Sequence, residues 1–469
     1  MRAHCTSAQL SFQPLGRRRV AAAFDAGPVS SDGGLALLRE VDEKTGLTDA
    51  FAACFLDKRD PARVQHSVLQ LVRQRVFGLA LGHEDVSDHD LLRHDPLFCA
   101  LVGADIDGAG AAGKSTLSRF EQSFDAAGQP TRYAKIGVVP TLVEEFFVDR
   151  FVASWGSNVP ERLVLDVDAS DILLHGGQQG RFYHGYYGGY CYLPLYIVCG
   201  QHVLMAKLRR ANRDGAIGTA DALDWIVASL RQAWPDVEIC VRGDSGFARD
   251  GLLAWCEDND VDYIIGVARN DRLAEQVADK LEEARLAMLS SGNAERRFAD
   301  FEWRTRTSWS CARRVVAKAE ALPGRQGRKG KANPRYIVTS YDADRYDART
   351  LYEDEYCARG EMENRIKEQQ LDMFGDRASC SNMRSNQLRV WLSAVAYQLI
   401  VELRRYLDGT ELENAQGETI RSKLLKIGAR VRISTRRVWI SFSSAFPMQR
   451  VFALVLARIR GDRPREAPT

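Results

Sequence analysis

Leu163-Val164-Leu165-Asp166-Val167-Asp168 is an apolar run closed by acid, and Val237-Glu238-Ile239-Cys240-Val241-Arg242-Gly243-Asp244 ends the same way. Both read as buried strands that deliver a carboxylate at the C-terminal end. Working outward, strand-like runs fall at 162–168, 190–199, 202–209, 236–242 and 262–268, with helical periodicity at 216–233 and 249–259. The order is three strands, helix, strand, helix, strand. A purely parallel doubly wound sheet alternates strand and helix from the start. The order here predicts a mixed sheet whose first three strands pair antiparallel.

On either side of this block the pattern changes. Residues 1–150 read as a mostly helical region. Pro61 suits a first-turn position, and Val64, Val68, Leu71, Val72 and Val76 follow helical spacing. Further helices are expected over Asp90–Leu101 and from Ser115, with Ser118 and Glu121 at capping-box spacing. Several short helices with basic faces fit either a DNA-binding module or a bundle that only packs. A charged helix is expected over 272–290, then β-rich alternation through Phe301, Trp303, Thr305, Thr307 and Trp309, and a strand at Tyr336–Tyr341. A long helix near 350–372 and an apolar helix at 386–406 follow. The fold class is therefore α/β (α+β) and multidomain. Its expected divisions are a helical region at 1–150, a catalytic core at 158–272 and 349–410, a β-rich insertion at 273–348, and a basic region at 411–469.

A chain of 469 residues has room for about three domains. Its net charge of +2 announces no global partner. Local charge is more telling. Residues 421–460 hold ten Arg or Lys and no Asp or Glu, and residues 321–335 hold five basic residues and no acid. Each is a candidate phosphate-facing segment or a solvated basic surface. The ten cysteines form no C-x-x-C pair, which points away from zinc ribbons and redox dithiols and toward a reducing cytosol. No apolar stretch reaches the roughly 18 residues of a membrane span, and no secretory signal core is present.

A third acid, Glu363, lies in the 350–372 helix with Tyr356, Arg359 and Lys367 around it. Two strand-end carboxylates and one on a helix can converge, and such a cluster is costly without a cation. Asp166 shares a strand face with Asp168, so either can be the first acid; the Asp168-Ala169-Ser170 context favours Asp168. Glu361 competes with Glu363, but an offset of two turns it to another helix face.

Here the chain resembles DDE-type insertion-sequence transposases, in the clade with a tyrosine–arginine–glutamate–lysine signature. Tyr356, Arg359 and Glu363 match that signature, whereas its lysine position holds Gln370, and Lys367 lies one turn earlier. Asp168-Ala169-Ser170 matches the first-acid motif, and Arg242-Gly243-Asp244-Ser245-Gly246-Phe247 matches the second. The spacings, 76 residues from Asp168 to Asp244 and 119 from Asp244 to Glu363, leave the longer gap where the clade carries its β insertion. Segments Phe24–Leu38, Gly82–Asp95 and Thr116–Glu121 resemble the same clade.

The resemblance implies an RNase H-like catalytic core in which Asp168, Asp244 and Glu363 bind two Mg²⁺ ions, with Mn²⁺ able to substitute. It implies cut-and-paste transposition: binding of terminal inverted repeats, strand cleavage and strand transfer. Double-stranded DNA, as transposon ends and target, is the implied partner. The protein is expected to self-associate on DNA as a dimer or larger synaptic complex, in the bacterial cytosol or nucleoid. DNA contacts are expected from Tyr356, Arg359 and Lys367, and from Arg328, Lys329 and Lys331 in the basic loop. The alternatives are a metal-dependent nuclease that does not join, and a transposase-derived DNA-binding protein without catalysis.

Three further signals have competing readings. Gly108–Ser115 spells the phosphate-loop pattern G-x-x-x-x-G-K-S, but a helix rather than a strand is expected before it, so an Ala/Gly linker is favoured over ATP binding. His83, His89 and His94 sit among acids at spacings poor for one helix face, which favours hydrogen-bonded side chains over a metal site. The Gly/Tyr run 183–190 is either a hairpin loop or a DNA-contacting segment.

Overall fold

The computed structural model describes residues 9–106, 108–122, 129–324 and 330–462. The chain divides into two compact units, one of residues 139–371 and 375–394, the other of residues 1–138, 372–374 and 395–469.

The first of these units is built on one large sheet. Its strands are β1 (Arg162–Ala169), β2 (Leu195–Cys199), β3 (His202–Lys207), β4 (Glu238–Gly243), β5 (Asp262–Val267), β6 (Glu295–Trp303), β7 (Arg313–Leu322) and β8 (Arg335–Thr339). Their spatial order is β3-β2-β1-β4-β5-β8-β7-β6, and Lys331–Ala332 also pairs with β7. β2 is antiparallel to both β1 and β3, whereas β4 is parallel to β1 and β5 is parallel to β4. The first three strands thus pair antiparallel, as their uninterrupted succession predicts. The segment expected at 190–199 is divided into Gly189–Tyr192 and β2. Pro194 sits in the break, where its missing N–H cannot serve a ladder. The strands of the 273–348 segment lengthen this same sheet, because β8 pairs antiparallel with β5.

Period-two alternation sends side chains to two different cores. Leu165, Val167, Ile239, Val241, Ile265 and Val338 join Leu223, Ile226 and Leu230 of helix α1 (Thr219–Ala233) and Leu253 of helix α2 (Asp250–Asp258). Cys240, Ile264, Val316 and Ile337 face the other way, against Leu351 and Tyr352. Asp166, Asp168 and Arg242 share the parity of this second face. A continuous helical segment from Ala348 to Asp372 covers it, wide-turned at Leu351–Tyr356, tight at Cys357–Arg359 and regular at Gly360–Lys367.

In the other unit, the expected helix from Pro61 is two elements. A single turn at Pro61–Arg63 is followed by a helix at Val68–Ala80, which starts at a full capping box between Ser67 and Gln70. The Asp90–Leu101 helix is likewise split into His89–Leu92 and Pro96–Val102. Asp95 caps the second piece and precedes Pro96, which disfavours helical backbone before it. Glu121 does not cap. It is buried and accepts from Arg75 Nε at 2.7 Å, and Arg75 also reaches His89 Nε2 at 3.0 Å. The unit also contains an antiparallel ribbon, Leu10–Leu15 with Arg18–Ala22, and a three-stranded sheet of Arg437–Phe442, Ala429–Ser434 and Val29–Ser30. No helix among the described residues is long and apolar enough to cross a membrane.

Candidate active site

The two strand-end acids are set by register. Arg242 lies opposite Asp166 and Gly243 opposite Val167 on parallel β4 and β1. One step further along each strand come Asp244 and Asp168, on neighbouring strands about 4.8 Å apart. Asp168 Oδ2 accepts from Ser170 Oγ at 2.7 Å, and its Oδ1 accepts from Arg359 Nη2 at 3.0 Å. Asp244 caps the turn Ser245–Phe247, its Oδ1 accepting from the Gly246 N–H at 2.8 Å.

Glu363 arrives from the covering helix. Its Oε1 accepts from Arg359 Nη1 at 2.7 Å, the i,i+4 pairing that a regular turn allows. Arg359 therefore joins Asp168 to Glu363. Burial pushes the Asp168 carboxyl above the usual carboxylate range; Ser170 and Arg359 oppose the rise, and the negative charges of Asp244 and Glu363 add to it. Burial alone would depress Arg359, but the carboxylates of Asp168, Asp244 and Glu363 overturn that and hold it above its ordinary value. The three acids thus share one electrostatic site, with a guanidinium among them. Arg359 Nε is buried there without a hydrogen-bond partner among the described residues.

Asp166 and Asp168 differ in their partners, and Arg242 makes the difference. Its Nε and Nη2 donate to the two oxygens of Asp166 at 2.6 and 2.8 Å, and its Nη1 donates to the Glu355 carbonyl. Asp166 is thereby committed to a buried bidentate pair. Arg162 Nη2 adds a bond to the Glu355 carboxylate at 2.8 Å. The acid-bearing helix is thus fastened to β1 and β4 one turn before Arg359. Glu361 is exposed and influences Asp166 rather than Asp168.

Tyr356 is half-buried, with its ring 5.5 Å from that of Tyr352. Its hydroxyl passes so close to β5 that a Cβ on Gly266 would lie 2.6 Å from it, and 3.0 Å from the Ser245 nitrogen. Burial raises the phenol above its ordinary value, Arg359 opposes this and Asp244 reinforces it. Tyr356 is accordingly packed between Tyr352 and β5. Lys367 and Lys331 are exposed. Arg328 and Lys329 lie outside the described residues. Gln370, at the signature's lysine position, is half-buried beside Tyr196.

Two participants were not singled out by the sequence. One is Arg242, whose role was hidden inside the Arg-Gly-Asp run. The other is Tyr187, which comes from the Gly/Tyr hairpin Phe182–His184/Gly189–Tyr192. Its hydroxyl donates to the Ala169 carbonyl at 3.1 Å, and its phenol is pushed up by burial and by Asp171, Asp168 and Asp244. The Gly/Tyr composition was the available signal. Tyr183 and Tyr186 of the same hairpin are 61% and 86% exposed, so part of it does face solvent.

The phosphate-loop look-alike is a linker. It follows the helix Pro96–Val102, and Asp90 accepts from the Lys114 backbone N–H and pairs with Lys114 Nζ, both at 3.0 Å. Among the described residues, no group of three or more His, Cys, Asp or Glu is close enough to hold a metal ion. His89 is buried against Gln74 and Arg75, and burial pushes it well below its ordinary value. Around Asp168 the donor chemistry is all carboxylate, which suits a hard divalent cation, and Arg359 supplies the positive charge between Asp168 and Glu363.

The family described as "Transposase DDE domain group 1" matches residues 12–464 of the chain. No curated protein sequence matches. Among solved structures, a cryo-EM structure of the piggyBac transposase synaptic complex with hairpin DNA aligns over 93% of this chain and 86% of that chain, at 12% identity and a TM-score of 0.35. A likeness that distant carries no argument about this chain.

Proposed function

The chain belongs to the DDE transposase family, and from that premise we propose that it cuts the ends of its own DNA element and joins them to a target through Asp168, Asp244 and Glu363. The observation that supports this reading is Arg359, which bonds Asp168 and Glu363 and feels the charge of Asp244, between two adjacent strand ends and the helix that covers them. The β3-β2-β1-β4-β5 order, with only β2 reversed, supports an RNase H-like core.

The substrate is double-stranded DNA: terminal inverted repeats first, then target. Transposases of this family generally use divalent cations, and the all-carboxylate donor set fits Mg²⁺, with Mn²⁺ as a substitute. Asp168 and Asp244 would hold the ions, and Glu363 would complete the set. When bound, two such ions activate the attacking oxygen and stabilise the leaving one in an in-line displacement. The chain's own groups supply positioning. Ser170 orients Asp168, the Gly246 N–H orients Asp244, and the Arg242–Glu355 bond holds the helix that brings Glu363. Arg359, with a spare buried donor, can exchange a carboxylate for a backbone phosphate. Lys367 and Lys331, both exposed, are further candidates for phosphate contacts, as are Arg328 and Lys329 of the same basic run of sequence. Joining two ends requires both to be held at once, so the protein works on DNA as a dimer or larger synaptic assembly, in the cytosol or nucleoid.

The test is Mg²⁺-dependent cleavage and joining of DNA carrying the sequences that flank the gene. Wild type is expected to cut and join, while Asp244→Asn and Glu363→Gln bind the same DNA without cutting it. Variants that cut like wild type would place the chemistry elsewhere. Cutting without joining would make the protein a nuclease. Binding without cutting by wild type would leave a DNA-binding relic.

A further inference from the structure

The ribbon Ala429–Ser434/Arg437–Phe442 has two unlike faces. Its register pairs Arg430 with Ser441, Arg432 with Trp439, and Ser434 with Arg437. In an antiparallel pair, directly opposed residues share a face, so these six form one surface. The other face carries Ala429 and Val431, both buried, and Ile433, Val438 and Phe442, which are 36%, 41% and 38% exposed; Ala429 is also paired with Ser30 of the neighbouring strand. The ribbon is therefore anchored at its Ala429–Val431 end and displays the arginine face along its length.

The displayed face has an unusual composition for a merely solvated surface. Arg430, Arg432 and Arg437 are all exposed, and Arg436 in the turn adds a fourth guanidinium. None of the four makes an ion pair with a carboxylate among the described residues, and residues 421–460 contain no Asp or Glu. Trp439, 50% exposed, stands directly across from Arg432 with its Nε1 bonded to Ser441 Oγ at 2.9 Å. A large indole left half in water costs apolar hydration, and a row of like charges repels itself. Both costs disappear against a polyanion with flat rings. Alternate residues on a strand lie about 6.8 Å apart, which sets Arg430 and Arg432 out as a row of separate phosphate donors. A two-stranded ribbon also fits the width of a duplex groove.

We propose that this face is a contact surface for duplex DNA. Arg430, Arg432 and Arg437 bind backbone phosphates, Ser434 and Ser441 add hydroxyl donors, and Trp439 packs on the sugar–base edge. The proposal rests on the transposase reading but concerns a surface separate from the acid centre and makes no use of catalysis.

The experiment is fluorescence anisotropy of a short labelled duplex of arbitrary sequence with the full-length chain over a salt series. Wild type is compared with Arg430→Ala/Arg432→Ala/Arg437→Ala and with Trp439→Phe. Each lost phosphate contact lowers the slope of log K against log salt by about 0.9, so the triple variant is expected to lose roughly 2.7 from that slope. Trp439→Phe is expected to lose most of the DNA-induced quenching of tryptophan emission. Should the triple variant fold poorly, Arg432→Gln alone should drop the slope by about 0.9. A folded triple variant with the wild-type slope overturns the proposal. So does a variant that loses binding to polyglutamate while binding DNA normally, because the face would then serve an acidic protein. If wild type fails to bind any duplex, the transposase reading falls with it; if only the ribbon variants behave like wild type, that reading stands and the ribbon assignment alone is wrong.

Discussion

Replacing Arg242 by methionine tests how the acid centre is held. The side chains of Arg242 and Asp166 are 10% and 6% exposed. Removing the guanidinium leaves a buried carboxylate that has lost two charge-assisted bonds of 2.6 and 2.8 Å. Breaking such a pair from one side costs about 3–5 kcal/mol. In a unit of this size each kcal/mol shifts Tm by about 2–4 °C, so Arg242→Met should melt roughly 6–20 °C lower. The double variant Arg242→Met/Asp166→Leu removes both charges and should recover to within about 1 kcal/mol of wild type. Cleavage should not recover with it, because the bond from Arg242 to the Glu355 carbonyl, which fastens the Glu363 helix, is absent from both variants. Urea denaturation of wild type, Arg242→Met, Asp166→Leu and the double variant gives the coupling energy, and single-turnover DNA cleavage gives the functional arm. The reasoning is refuted if Arg242→Met costs under about 1 kcal/mol, or if the double variant is as unstable as the two singles added together.

Two other outcomes follow from the geometry. Gly266→Ala places a methyl 2.6 Å from the Tyr356 hydroxyl and 3.0 Å from the Ser245 nitrogen; it should destabilise by about 1–3 kcal/mol, and adding Tyr356→Phe should return part of that in a thermal melt. Arg313 pairs with Glu257 and Asp250, and its hydrogen bonds lower both carboxyls, against the opposing effect of burial. Depressed folded-state values stabilise above the unfolded pKa and lose that contribution as pH falls through the folded value. Arg313→Met should therefore be less stable than wild type at neutral pH, with the gap narrowing below about pH 4; a gap that is constant with pH would show that packing, not charge, is what Arg313 provides.

The strands of the large sheet were legible because each face has its own core. Leu165 and Val167 alternate with Asp166 and Asp168, and that period survives in the sequence whatever the partner strands are. The three acids stand out in sequence because their contexts are local runs. Pairing across long separations was not. Nothing local tells that β8 will lie against β5, so the 273–348 segment reads as an insertion while its strands in fact continue the sheet. The same holds for Arg242, whose partner Asp166 is 76 residues away. Helix limits failed where a single residue outranked periodicity: Pro96 divided one expected helix, and the Ser67 capping box restarted another. The Leu10–Ala22 ribbon was missed because nearly all of it is exposed, leaving no burial pattern to reveal a strand.

The fastening of the Glu363 helix across β1 and β4 also sets a schedule for the growing chain. Translation at about 5–20 residues per second separates the emergence of Asp244 from that of Glu363, 119 residues later, by roughly 6–24 s. During that interval the nascent protein carries two acids at neighbouring strand ends without the Arg359 guanidinium beside them. The guanidinium and the last carboxylate come off the ribosome four residues apart, so Arg359 and the second acid it bonds arrive together. A polypeptide stopped short of this helix would have every strand of the sheet but not Leu351 and Tyr352, which cover its second face.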